Sequence, residues 1–208
     1  MTKKGLFITF EGIDGCGKTT QLENVKNLLT ELGYDCVTTR EPGALKLGSQ
    51  LREILLHYDG EVANNCEMFL FLADRSQHVE TFVKPMLEQG KVVLCDRHTD
   101  SHIAYQGYGR NGDVIELTKL NKIAVNGLVP DLTFLFDVSV EIGHERAGKN
   151  LDRLELAGKE FFERTRQGYL KLAEENSDRI KVINAEKSKE DVYKDVKSLI
   201  MDIINKKG

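Results

Sequence analysis

Residues 12 to 19 read Gly12-Ile13-Asp14-Gly15-Cys16-Gly17-Lys18-Thr19, which fits the pattern G-x-x-x-x-G-K-[ST]. The short apolar run Leu6–Phe10 precedes it, and Leu22, Val25, Leu29 and Leu32 follow at helical spacing. Strand, glycine-rich loop and helix in that order make a phosphate cradle. Glycines let the backbone curl around phosphate oxygens so that successive N–H groups point inward, and the helix adds the positive end of its dipole. On this pattern Lys18 reaches the β- and γ-phosphates and the Thr19 hydroxyl ligates Mg²⁺. Gly12, Asp14, Gly15, Cys16, Gly17 and Thr20 complete the expected nucleotide-binding segment, with Cys16 as a small filler. A glycine-rich turn that binds nothing would not need this flanking order.

Further apolar runs rich in β-branched and aromatic residues occur at Tyr34–Thr39, Val92–Cys95, Leu132–Val138 and Ile180–Ile183, with helical segments between them. Val192, Val196, Leu199 and Ile203 form a second helical stripe. Near-continuous apolar runs suit a parallel sheet buried on both faces. The expected fold is α/β, a three-layer α/β/α sandwich with a central parallel sheet, of the type built around a nucleoside-triphosphate loop. Residues 1–208 are expected to form a single domain. Two segments read as loops, Gln106–Asp113 and His144–Gly158, and the second, with Arg146, Lys149 and Arg153, is the candidate mobile lid.

Composition narrows the function. The 208 residues carry 29 basic and 33 acidic side chains, a formal charge of −4, with 40% hydrophobic residues. That is enough apolar material for a core, which excludes disorder as the main state. It also lacks the basic excess of a sequence-independent nucleic-acid binder. Cys16, Cys36, Cys66 and Cys95 lie too far apart for a paired redox or zinc pattern. The longest apolar run, Met68–Ala73, is far short of a membrane span, and LFITF is too brief for a signal peptide. A cytoplasmic protein is expected, with no membrane and no nucleic-acid partner.

Ordered blocks extend along nearly the whole chain: FEGIDGCGKTT at Phe10–Thr20, TREPGA at Thr39–Ala44, LREILL at Leu51–Leu56, FLADRSQHVE at Phe71–Glu80, DRHTDSHIAYQG at Asp96–Gly107 and DRLE at Asp152–Glu155. With these the sequence resembles the thymidylate kinase family, whose members transfer a phosphoryl group from ATP to dTMP. The resemblance implies dTDP synthesis with ATP and Mg²⁺.

It also implies roles for individual residues. Arg97 resembles the family arginine that holds the acceptor phosphate and touches the transferring group, a task suited to bidentate guanidinium geometry. Asp96 ends its strand where a carboxylate orients Mg²⁺ through water. Alone, the Asp96–Arg97 pair would read as a surface ion pair. Phe71 and Arg75, at i,i+4 spacing, are implied to stack on thymine and to hydrogen-bond a base carbonyl. In isolation Phe71 would be core and Arg75 solvated, and Phe69 is a further core candidate. Arg52 and Pro42 resemble family positions at the acceptor, although Arg52 also reads as an exposed helix charge. Tyr105 and Gln106 match positions that pack on the deoxyribose and bind the base edge. Asp14 and Glu41 are similar to carboxylates that orient the 3′-hydroxyl, an arginine or a metal water.

Three departures stand out: His98 replaces the usual tyrosine after Asp-Arg, His102 stands where serine or asparagine is common, and Ala44 replaces a glycine. Gly15 replaces the loop arginine of some members. The resemblance then assigns that cation to the lid, to Arg153 first, with Arg146 and Lys149. Family members dimerise through helices, and the apolar segment Met68–Val83 is the candidate homodimer surface. Two alternatives stay open: a kinase for another deoxynucleotide or deoxynucleoside, and a nucleotide-loop switch or regulatory ATPase with no small acceptor.

Overall fold

The computed structural model describes residues 5–148 and 158–207. Strands β1 (Leu6–Glu11), β2 (Cys36–Arg40), β3 (Val92–Asp96), β4 (Leu132–Asp137) and β5 (Ile180–Asn184) form one sheet in the order β2-β3-β1-β4-β5. Every pairing is parallel, as in Ile8 opposite Leu94 and Leu132. The helices are α1 (Lys18–Glu31), α2 (Lys46–His57), α3 (Asn64–His78), α4 (Lys84–Glu88), α5 (Thr99–His102), α6 (Val114–Ala124), α7 (Val140–Ala147), α8 (Lys159–Glu175) and α9 (Lys189–Lys207). Wider π-type turns at Val79–Val83 and Ile103–Gly109 extend α3 and α5.

All six residues of β1 are buried, and β3 and β4 are buried up to their last residue, which accounts for their unbroken apolar character. The polar residues inside the sheet are satisfied: the Thr9 and Thr133 hydroxyls bond each other at 2.7 Å. Phe10 packs on Phe134 and Phe136 with ring centroids 5.5 and 6.1 Å away, under Val25 and Leu29 of α1, Phe162 and Leu172 of α8 and Ile200 of α9. Each such side chain contributes about 1.5–3 kcal/mol of burial. Phe7, Val83, Val93 and Cys95 make a second cluster. The strands run the same way, so the loops following β1, β2, β3 and β5 gather at one end, flanking the point where the strand order reverses.

Five expectations are corrected. The second strand starts at Cys36, because the chain is still turning at Tyr34, whose N–H bonds Leu29 O. Leu32 caps α1 and is 45% exposed, and Leu28 takes the core position instead. Phe69 is exposed rather than core. Gln106–Gly109 is helical, not a loop: a Cβ on Gly109 would lie 2.5 Å from Thr165 Oγ1, so this glycine serves the close approach of α8. Of the lid candidate, His144–Ala147 belong to α7, and residues 149–157, with Lys149 and Arg153, lie outside the described residues.

Candidate functional site

The loop after β1 takes backbone conformations that demand glycine. Gly12 has φ 138°, and a Cβ there would meet Phe136 O at 2.5 Å. Gly15 has φ 74° with Gly143 O only 2.0 Å from a would-be Cβ, so this packing admits no side chain. Lys18 folds back over the loop, donating from Nζ to Gly12 O (3.0 Å), Ile13 O (3.1 Å) and the Cys16 thiol (3.6 Å). Cys16 is buried beneath it, as a filler should be. Thr19 and Thr20 are exposed on the first turn of α1. Asp14 to Thr20 line a cleft of about 880 Å³ whose other wall carries Arg146, Ala185, Lys187, Ser188, Lys189 and Val192. Arg146 belongs to that wall, where its Nη1 donates to Ala185 O.

Arg97 lies where this cleft opens into a narrower recess of about 90 Å³. Its φ is 65°, an uncommon left-handed conformation for a non-glycine residue, costing roughly 1–2 kcal/mol. A dense set of partners holds it there. Nη2 donates to Asp14 Oδ1 (2.7 Å) and the Tyr105 hydroxyl (3.2 Å), and Nη1 to Gly12 O, Ser101 Oγ and the Tyr169 hydroxyl. The guanidinium also stacks over the Tyr105 ring, 5.0 Å from its centroid. Burial pushes the Asp14 carboxyl up, but the charges of Arg97 and Lys18 and hydrogen bonds from Arg97 and Tyr105 outweigh it, leaving it at about 2. Glu11 is fully buried behind Arg97, accepting hydrogen bonds from the His98 N–H, Ser101 and Tyr169. Burial and the nearby charge of Asp100 push its carboxyl up to about 7, against the Ser101 hydrogen bond and Arg97.

The recess is lined by Pro42, Phe71, Arg75, His102, Tyr105 and Gln106, with Arg52 at its junction with the cleft. Arg52 Nη1 donates to Pro42 O. Arg75 is 2% exposed, and most of its donors are already engaged: Nε with Glu41 Oε2 (2.7 Å), Nη1 with Asn121 Oδ1 and His102 Nδ1, Nη2 with His98 O. Glu41 binds His78 and His98 through its other oxygen. Burial would raise the Glu41 carboxyl, yet the charges of His98 and Arg75 and the histidine hydrogen bonds hold it well below the usual carboxylate range. Burial and the Arg75 charge push His102 down to about 3, so it is neutral at pH 7. The Phe71 and His102 rings lie 5.8 Å apart.

A cleft over a glycine-rich phosphate loop and a second recess with an aromatic wall, meeting at Arg52 and Arg97, form an arrangement with room for two nucleotides end to end. A family model described as thymidylate kinase matches residues 10–196. The chain belongs to the thymidylate kinase family. It is 45% identical to the thymidylate kinase of Maridesulfovibrio salexigens over 209 residues, covering 96% of each chain. It is 46% identical to that of Trichodesmium erythraeum over 215 residues, covering 95% of each. The crystal structure of thymidylate kinase from Ehrlichia chaffeensis superposes with a TM-score of 0.79 at 35% identity, covering 94% of this chain and 98% of that one. The three-layer fold with an all-parallel sheet is the fold of this family.

Within that family frame, Asp14 to Thr20 and Asp96 line the cleft while Gly12 lies beneath the loop, bonded through its carbonyl to Lys18 and Arg97; Phe71, Arg75, His102, Tyr105 and Gln106 line the recess, and Asp14, Arg52 and Arg97 border both. Glu41 borders both as well, but its carboxylate is spent on protein partners, so of the roles expected for it the orienting of an arginine, Arg75, is the one the geometry provides. The two histidine departures differ: His102 lines the recess, whereas His98 is wholly buried behind Glu41. Sequence reading missed Glu11, Ser101, Tyr169 and Glu67. Ser101 and Glu11 lie within recognised blocks, so their neighbourhood was a signal. Nothing local marks Tyr169, which reaches Arg97 from 72 residues away.

Proposed function

We propose that the protein transfers the γ-phosphoryl group of ATP to dTMP, giving dTDP and ADP with Mg²⁺ as the accompanying ion. The observation that carries this reading is Arg97, fixed by Asp14, Tyr105 and Tyr169 at the junction of cleft and recess. Phosphoryl transfer is chiefly a matter of positioning two phosphates and neutralising charge on the moving group. Loop N–H groups and Lys18 grip the donor phosphates. Arg97 holds the acceptor phosphate and meets the transferring group from its side. Phe71 supplies a stacking face for thymine, and Tyr105 fills the space a 2′-hydroxyl would need, favouring deoxyribose. The acceptor phosphate, with a second pKa near 6, is already largely ionised at pH 7 and needs no strong base, so Asp14 acts by positioning Arg97.

Thr19 and Asp96 suit a Mg²⁺ ion: both line the cleft, the Thr19 hydroxyl is exposed, and Asp96 Oδ1 is buried with no hydrogen-bond partner among the described residues. Thr19 and Asp96 would hold the ion, which would supply charge neutralisation for the donor phosphates. Exposed Leu47 and Ile54 of α2 and Phe69 of α3 support a homodimer through these helices, which sedimentation would test. Val79 and Val83, within the expected surface, are fully buried and do not contribute. No described helix is long and apolar enough to cross a membrane.

The test is ADP release with dTMP, dUMP, dCMP, dGMP, dAMP and thymidine. Rates should be highest with dTMP. Release indifferent to acceptor would point instead to a switch ATPase, and preference for another acceptor to a different kinase.

A further inference from the structure

Gln106 lines the acceptor recess, and its amide is not free to turn. Its Nε2 donates to Glu67 Oε1 at 3.0 Å in a fully buried bond. Glu67, on the first turn of α3, is 1% exposed, and its second oxygen lies 3.5 Å from Arg110 Nη2. Arg110 is itself held over the Phe161 ring, 5.1 Å from its centroid. A carboxylate paired with a guanidinium has only lone pairs to offer, so the NH₂ end of the amide must face it. Turning the amide over would set two oxygens against each other out of reach of water. Gln106 Oε1 is therefore directed away from Glu67, and no described residue donates to it. Across the recess stands Arg75, a group that only donates, with its position fixed by Glu41, Asn121 and His98 O.

We propose that Glu67 is a specificity-setting positioning residue. By locking Gln106 with its carbonyl toward the recess, it completes with Arg75 an acceptor–donor pair that matches N3–H and O4 of a pyrimidine-2,4-dione. The cytosine edge, an N3 acceptor beside an N4 donor, meets the wrong partner at both positions, and the polar groups it leaves unpaired are buried. Thymine and uracil present the same edge, so this pair rejects dCMP and is blind to dUMP. The inference rests on the kinase reading above and deepens it.

The experiment measures kcat/KM for dTMP, dUMP and dCMP with wild type, Glu67→Gln, and the exchange Glu67→Gln with Gln106→Glu. In Glu67→Gln the facing amides pair in either orientation, so the dTMP:dCMP ratio should fall by about tenfold or more, chiefly through KM. The dTMP:dUMP ratio should stay within about twofold, since both bases lose the same contact. In the exchange variant the new amide at position 67 donates to the new carboxylate at position 106, which again offers the recess an acceptor, and the ratio should recover. A folded Glu67→Gln protein with the wild-type dTMP:dCMP ratio overturns the assignment to Glu67 alone. Wild type that ignores dTMP overturns the kinase reading, and this inference with it. Should Glu67→Gln fail to fold, the N3 proton of ¹⁵N-labelled dTMP bound to wild type decides by NMR: a protected signal supports the pairing, and free exchange with water overturns it.

Discussion

Replacing Glu41 by glutamine tests the buried polar centre on which the recess is built. The Arg75 and Glu41 side chains are 2% and 1% exposed and meet at 2.7 Å. Glutamine preserves volume but removes the charge and turns an amide N–H toward Arg75, His78 or His98. Neutralising one partner of a buried ion pair costs about 3–5 kcal/mol. Against a total stability of about 5–15 kcal/mol that is a large fraction. At about 2–4 °C per kcal/mol for a chain of this size, the melting temperature should drop by about 6–20 °C. Acid sensitivity gives an independent check. The native carboxyl titrates well below its ordinary 4.5, because the charges of His98 and Arg75 overcome burial. As pH falls the unfolded chain therefore takes up the proton first. The stabilisation is complete above the ordinary value and is lost as pH drops through the lower native one. Thermal melts by circular dichroism from pH 7 to pH 3 should show wild type converging on Glu41→Gln at the acid end. At pH 7 the mis-aimed Arg75 should raise KM for dTMP more than it lowers kcat. If Glu41→Gln melts with wild type at pH 7 and shares its acid profile, the account of this centre is wrong.

Arg97→Lys replaces a fork that makes five hydrogen bonds with a single ammonium, and kcat/KM for dTMP should fall by about 10²–10³ in steady-state assays while ATP binding changes little. Asp96→Asn should raise the Mg²⁺ concentration for half-maximal activity by about 10–100-fold, as loss of an outer-sphere partner does, and an unchanged Mg²⁺ titration would remove Asp96 from that role. His102 is held at about 3 against an ordinary 6.5, so the unfolded state binds its proton more readily and stability drains away as pH falls from 6.5 toward 3. His102→Asn should flatten that slope in denaturant titrations at pH 7 and pH 5, and an identical slope would contradict the neutral, buried histidine.

Features that depend on neighbouring residues were legible in advance. Leu6–Phe10 runs into a glycine loop and then a helical stripe, and strand β1, the cradle and α1 follow, since backbone geometry and periodicity act within a few residues. The sheet was readable for the same reason, apart from the start of β2, where the turn after α1 holds Tyr34. Glycine misled at 107 and 109: in isolation it signals a turn, but here Gly109 lets the π-type helix approach α8 and Gly107 lies against Val114 and Leu117 of α6. Phe69 misled because hydrophobicity states only that a side chain leaves water when it has somewhere to go, and the monomer gives it no cover.

The amino-acid order alone located the phosphate cradle, because a cradle is a local object made from eight consecutive residues and the helix they begin. It also named most of the side chains that line the cleft and the recess. It did not contain the orientation of those side chains. Arg97 is aimed by Asp14, Ser101, Tyr105 and Tyr169, Arg75 by Glu41 and Asn121, and Gln106 by Glu67, contacts that join the loops after β1, β2 and β3 with α3, α5 and its π-type extension, α6 and α8. Hydrogen-bond direction and buried charge balance are set by atoms brought together from distant parts of the chain, and only the folded arrangement decides which of them meet.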